Sequence, residues 1–174
     1  MGIDQRIALV RGDITQQHVD AIVNTANSAL RGGGGVDGAI HDAAGPELVR
    51  ASRVLAPCPA GDARITPAFR LPARRVIHTV GPIWSGGQLG EDETLASAYR
   101  RSLELAVEYQ ARTLAFPSIS TGAYQFPVDR AARIALRTVS KFLETASLPE
   151  QVTVVCFDER TLRAYQRARR ELQE

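Results

Sequence analysis

The chain has 174 residues, 44% of them hydrophobic and 23% charged, and no low-complexity tract. That composition suits one folded domain with a real core and excludes a disordered or fibrous chain. The formal charge is only +2, so nucleic acid is not an expected partner. No apolar run approaches the ~18 residues of a membrane span and the polar opening residues do not resemble a signal peptide, so a cytoplasmic protein with no membrane partner is expected. Cys58 and Cys156 belong to no C-x-x-C or Cys/His cluster, which predicts two reduced thiols, no metal site and no cofactor.

Residues 6–10 (RIALV) predict a first strand, closed by a turn at Gly12 and Asp13. The apolar run Ala21-Ile22-Val23 predicts the second. It feeds Asn24 and Asn27, then four consecutive glycines, Gly32, Gly33, Gly34 and Gly35, then Val36, Asp37 and a helix opening at Ala39-Ile40-His41. Residues 46–55 predict a helix with Leu48, Ala51 and Leu55 on its buried face, stopped by Pro57, Pro59 and Gly61. Residues 61–72 read as a loop, or a short strand at best. Residues 75–80 (RVIHTV) are a strand rich in β-branched side chains, ended by Gly81-Pro82, and Ser85-Gly86-Gly87 reads as a flexible turn.

Glu91-Asp92-Glu93 opens a long helix with its acids where the dipole favours them, and Leu95, Tyr99, Leu103 and Ala106 share one face. Residues 113–116 form a short strand and residues 118–126 a loop, with Pro127 suited to the first turn of the next helix. Ala131, Ile134, Ala135, Thr138 and Phe142 make that helix's buried stripe. Residues 151–157 (QVTVVCF) predict the last strand. Residues 158–172 predict the last helix, with Leu162, Tyr165 and Leu172 inward and Arg163, Arg167 and Arg170 as a solvated outer stripe. The alternation defines an α/β class with helices on both faces of the sheet. Ligands of such sheets bind beyond the carboxyl ends of strands. The loops that begin at Asn24 and at Ser118 both follow strands, so both open on one edge.

A strand, a glycine-rich loop and a helix start are the parts of a phosphate cradle, because glycine lets backbone N–H groups approach an anion and the helix start adds positive charge. The spacing is neither the Rossmann nor the Walker pattern, and Asp37 stands where a P-loop carries lysine. A bulky residue at Gly34 is expected to block phosphate and to suffer from a positive φ. Asp37 is either a surface or helix-capping acid or a carboxylate that orients water beside a ligand. Asn24 and Asn27 are turn residues or ribose contacts. His41 follows Asp37 by one helical turn and His78 lies mid-strand, both read first as structural. Alone, Asp13 is a turn residue, Phe157 a core side chain and Tyr124 a half-buried one. On these residues the chain is an α/β domain for a phosphorylated, nucleotide-like ligand.

Five ordered blocks carry a more specific resemblance: Gly12-Asp13-Ile14-Thr15; the glycine stretch up to Gly45; Cys58-Pro59 through Ile65-Thr66, with His78-Thr79-Val80-Gly81-Pro82; Pro117-Ser118-Ile119-Ser120-Thr121-Gly122-Ala123-Tyr124; and Val155-Cys156-Phe157-Asp158. Together they resemble the macrodomain family, specifically its MacroD-type ADP-ribosyl hydrolases and bacterial O-acetyl-ADP-ribose deacetylases. The resemblance implies a single three-layer α/β/α macrodomain over residues 1–174 with a mixed central sheet. It implies Asp37 as the active-site acid and Asn27 as the distal-ribose contact. It gives Gly33, Gly34, Gly35 and Val36, with Ser120, Thr121, Gly122 and Ala123, as the diphosphate loops, and Tyr124 as the residue packing on the distal ribose. Asp13 and Ile14 match the adenine-amine contacts and Phe157 the adenine-stacking aromatic, while Asn24 is expected to be structural. The implied activity is hydrolysis of O-acetyl-ADP-ribose or of mono-ADP-ribose on acidic side chains. The implied partners are ADP-ribose, its esters and mono-ADP-ribosylated proteins, and the alternative is a non-catalytic ADP-ribose-binding module.

Overall fold

Among residues 3–174, which this computed structural model describes, six strands join one sheet: β1 Ile7–Arg11, β2 Ala21–Thr25, β3 Ala63–Pro67, β4 Arg75–Thr79, β5 Thr113–Phe116 and β6 Gln151–Cys156. Five α-helices connect them: α1 Gly35–Ala44, α2 Glu47–Arg53, α3 Glu91–Glu108, α4 Val128–Thr145 and α5 Glu159–Gln173. The strand order is β1-β6-β5-β2-β4-β3, and every neighbouring pair is parallel except β3 against β4.

Strand alternation sorts the core into two layers. Val23, Ile77, Leu114, Phe116, Val154 and Cys156 face α3, α4 and α5, where Leu95, Tyr99, Leu103, Ala135 and Tyr165 meet them. Ile22, Val76, Ala115 and Val155 point the other way, onto Ile40 and Ala44 of α1 and Leu48 of α2. The result is the expected α/β/α sandwich with a mixed sheet, buried on both faces as parallel strands require. The buried Cys58 and Cys156 are free thiols, and burial pushes Cys156 up to about 12, so neither is an activated nucleophile. No helix of the described residues is long and apolar enough to cross a membrane.

Several local readings are corrected. Helix α1 begins at Gly35, four residues before the expected Ala39, so Asp37 lies inside its first turn and is not the cap. Helix α2 stops at Arg53, and its buried side chains are Leu48 and Ser52; Leu55 lies beyond its end and is exposed. Residues 63–67 are a regular strand, because antiparallel pairing with β4 supplies the ladder that their own sequence does not announce. On α4, Val139 and Leu143 are buried while Thr138 and Phe142 flank them; on α5, Tyr165 is buried, Leu162 is half-buried and Leu172 is exposed. Strand β6 ends at Cys156, and Phe157 is 82% exposed, so its reading as a core side chain fails. The stretch through Ser85, Gly86 and Gly87 is not a free turn, since the Glu91 carboxylate grips its backbone.

Candidate active site

Strand β2 delivers Asn24 to the α1 face of the sheet, on the same side as Ile22, with His78 as its register partner on β4. Asn24 is wholly buried, and its Nδ2 donates to Asp37 Oδ1 at 2.8 Å and lies 3.2 Å from His78 Nδ1. His78 Nε2 lies 3.0 Å from Thr66 Oγ1, which donates to the Pro67 carbonyl at 3.0 Å. The bonds form one directed chain: Asn24 gives one hydrogen to the carboxylate and one to Nδ1, and Nε2–H donates to threonine. That assignment needs a neutral imidazole, and burial holds the His78 pKa down at about 4. His41, one turn after Asp37 on α1, sets its Nε2 3.2 Å from Asp37 Oδ1.

Asp37 is only 5% exposed, yet it lines an open cleft of about 380 Å³. Its Oδ1 is taken by Asn24 and His41, whereas Oδ2 faces Gly33, where an added Cβ would sit 3.2 Å away. The α1 start carries no capping side chain at Gly34, which leaves its first-turn N–H groups free of an intrahelical partner. Added Cβ atoms at Gly34 and Gly35 would meet nothing within 4 Å, so this backbone is open to a ligand. Gly35 has φ +59, but Gly34 has φ −97. The expected positive φ at Gly34 is therefore corrected, and a larger residue there would act by filling the cleft.

Across the cleft stands the loop after β5. Ser120 takes φ +66 and presses against Gly81, where an added Cβ would fall 2.1 Å from its Oγ. Gly81, read as a strand terminator, is the seat of this loop. Tyr99 and Tyr165 lie beneath it: Tyr99 Oη accepts from Ile119 N at 3.1 Å, Tyr165 Oη donates to Ser118 Oγ at 3.0 Å, and burial raises both phenols, Tyr99 to about 12. The cleft lining brings together Asn27, Gly33, Gly34, Gly35, Val36 and Asp37 with Ser120, Gly122, Ala123 and Tyr124, and adds Thr25, Ala26 and Ser118.

Thr121 does not line the cleft; its hydroxyl is bound to Ser118 Oγ at 2.8 Å. Asp13, Ile14 and Phe157 also lie outside it, at the same strand-end edge, where the Gly12 N–H donates to the Cys156 carbonyl at 3.0 Å. The Asp13 carboxylate caps its own turn through Thr15, the isolated-residue reading, and Ile14 is buried. Among the described residues, no three His, Cys, Asp or Glu side chains come together to hold a metal ion.

One further observation singles out this region. Among the described residues, four buried polar side-chain atoms lack a hydrogen-bond partner: Asn24 Oδ1, Asn27 Oδ1, His41 Nδ1 and Ser120 Oγ. All four belong to this site. Native cores leave few such atoms unpaired, and a cluster of them marks a place shaped for something else to bind. Asn24 and His41 were read as structural; the one-turn spacing put His41 on the face of Asp37, whereas only the packing of α1 on β2 brings Asn24 to it.

An α/β/α domain with an uncapped helix start, a facing turn and a buried carboxylate at one strand-end cleft is a nucleotide-type, phosphate-binding domain. Comparison with known proteins narrows the class. Residues 23–135 match the Macro domain family, and the chain belongs to it. A macro domain-containing protein of Methanosarcina mazei is 55% identical over 94% of this chain and 87% of its own length. A Salmonella newport protein named O-acetyl-ADP-ribose deacetylase is 55% identical over 93% of each chain. A solved mutant of the Oceanobacillus iheyensis macrodomain with ADPR superposes with TM-score 0.91 at 45% identity, over 95% of this chain and 92% of that one.

Proposed function

We propose that the protein hydrolyses ester linkages of ADP-ribose, with O-acetyl-ADP-ribose and mono-ADP-ribose on acidic side chains as its substrates. The carrying observation is the set of four unpaired buried polar atoms: two on Asn24 and His41, which bond the Asp37 carboxylate, and two on Asn27 and Ser120, which line the cleft. Chain 1–174 acts as one macrodomain. The diphosphate lies between the free N–H groups of the α1 start and the backbone of Ser120, Gly122 and Ala123. Asn27 Oδ1 then accepts a hydrogen bond from ligand or bound water, and the Ser120 hydroxyl donates or accepts one. Tyr124 packs on the distal ribose, and the adenine reaches the exposed Phe157 ring and Asp13 at the neighbouring strand ends. A water on the Oδ2 side of Asp37 adds to the ester carbonyl carbon; the bond from that carbon to the ribose oxygen breaks, the ribose oxygen takes the proton given up by the water, and ADP-ribose and the carboxylic acid leave. Asn24 and His41 hold Oδ1 so that Oδ2 meets the water, and the loops supply proximity.

The test is Asp37→Ala, which removes the orienting carboxylate but neither backbone cradle. A positioned acid–base group contributes about 10²–10⁴-fold in rate, so ester turnover should fall by that factor while calorimetric ADP-ribose affinity stays within a few-fold. Wild type that binds ADP-ribose without turning over either ester would leave a non-catalytic ADP-ribose-binding module as the function, and turnover unchanged by the substitution would remove Asp37 from the chemistry.

A further inference from the structure

The stretch between β4 and α3 has no regular structure, carries Gly86, Gly87 and Gly90 at positive φ, and exposes Ile83 and Leu89. Its apolar burial is confined to Val80, Pro82 and the Trp84 ring, and from Ser85 to Gly90 little apolar burial holds it in place. What holds it is Glu91, the first residue of α3, only 3% exposed. Its Oε2 accepts from the backbone N–H groups of Ser85 at 2.8 Å and Gly87 at 2.9 Å, and its Oε1 accepts from Leu89 N–H at 2.7 Å. These partners are all main-chain donors outside α3, and they hold the carboxyl down at about 2.

This gripped segment touches the cleft through Trp84. The Trp84 backbone N–H donates to the Tyr124 carbonyl at 2.9 Å, and the Trp84 ring lies 4.8 Å from that of Phe126. The Arg130 guanidinium covers the indole at 5.1 Å and is itself held by both oxygens of Asp92, at 2.8 and 2.7 Å. Gly87 packs against the ring, where an added Cβ would come within 2.7 Å of the indole and 3.4 Å of Arg130 Nη1. Phe126 N–H closes the cleft loop onto the Ser120 carbonyl at 2.9 Å. Two adjacent acids at the start of α3 therefore grip one aromatic clamp: Glu91 through the backbone, Asp92 through Arg130. The clamp bears on the loop that presents Ser120 and Tyr124 to the cleft.

We infer that Glu91 is a positioning residue for the ligand-binding loop at Ser120 and Tyr124, acting through Trp84. Its consequence for ligand binding rests on the function proposed above. A residue that only starts α3 would influence that helix and its own loop. A positioning residue also governs Tyr124 and Phe126, far along the chain. A glutamine cannot replace the carboxylate, since its NH₂ group cannot accept from a main-chain N–H.

The experiment combines backbone amide exchange with calorimetry on wild type and Glu91→Gln. Exchange should quicken at Ser85, Gly87 and Leu89 and also at Trp84, Gln125 and Phe126, and ADP-ribose affinity should fall roughly tenfold, in line with the loss of a charge-assisted bond. Quickening confined to Ser85, Gly87, Leu89 and the first turn of α3 would overturn the inference. So would quickening at Phe126 with affinity unchanged. The Leu89→Pro variant removes one donor at an exposed residue, while also fixing φ there and restricting Gln88, and should give the same pattern more weakly if Glu91→Gln does not fold. Wild type that fails to bind ADP-ribose would refute the proposed function alone, because the exchange pattern then decides the positioning role without any ligand.

Discussion

Asn24 has two amide hydrogens and gives one to Asp37 and one to His78, so the imidazole fixes which way the amide points. Protonation of His78 would turn Nδ1 into a donor against a donor and remove one of the two anchors that orient Asn24. Burial depresses the His78 pKa from 6.5 to about 4. The unfolded chain therefore binds this proton more readily than the folded one, and stability is full above about pH 6.5 and is lost as the pH falls to about 4. A depression of that size corresponds to roughly 3 kcal/mol. Denaturant unfolding between pH 7 and 4 should show this decline, and His78→Gln, which cannot titrate, should flatten that part of the profile. An equally steep profile in the variant would locate the pH dependence elsewhere.

Helix α1 shows why an element's first turn matters more here than its length. Gly38 lies within the helix, where replacing glycine by alanine ordinarily gains about 1 kcal/mol. At this position an added Cβ would fall 2.7 Å from the Gly33 carbonyl oxygen, which is backbone and cannot rotate away. Overpacking of that kind costs about 1–3 kcal/mol, so the clash outweighs the propensity and the glycine loop must move. Gly38→Ala should lower the melting temperature and weaken ADP-ribose binding together, and a raised melting temperature with intact binding would refute the argument. The same turn escaped the sequence reading, because four glycines look like loop until the uncapped helix start is seen. The strands β1, β2, β4 and β5 were legible as apolar or β-branched runs. Strand β3, whose ARITP carries little strand character, depends on its partner β4. Glu91 was read as an acid placed for the dipole, because nothing in a linear pattern reports a side chain reaching back to three amides.

Across the whole molecule, function depends on β2 and β5 being neighbours, with Ala21 opposite Leu114. That both loops follow strands was readable from the chain; that a crossover through β3, β4 and α3 returns β5 to the side of β2 was not. The cleft therefore occupies the carboxyl ends of the strands, and the opposite end is free for purely structural ties. Arg6 is such a tie. It precedes β1 and donates to the carbonyls of Leu143, Ala146 and Pro149 at 3.0, 2.9 and 2.7 Å, joining the start of the chain to the end of α4 and the approach to β6. Arg6 is half-buried, so its charged hydrogen bonds sit at the lower end of their range, and Arg6→Ala should cost about 2 kcal/mol. For a chain of this size that corresponds to roughly 4–8 °C in melting temperature. No group of the cleft touches these carbonyls, so calorimetric ADP-ribose affinity measured well below the transition should stay within twofold of wild type. A matching loss of affinity would mean that the two ends of the sheet are coupled, and that stability and binding cannot be separated by the geometry of the strands.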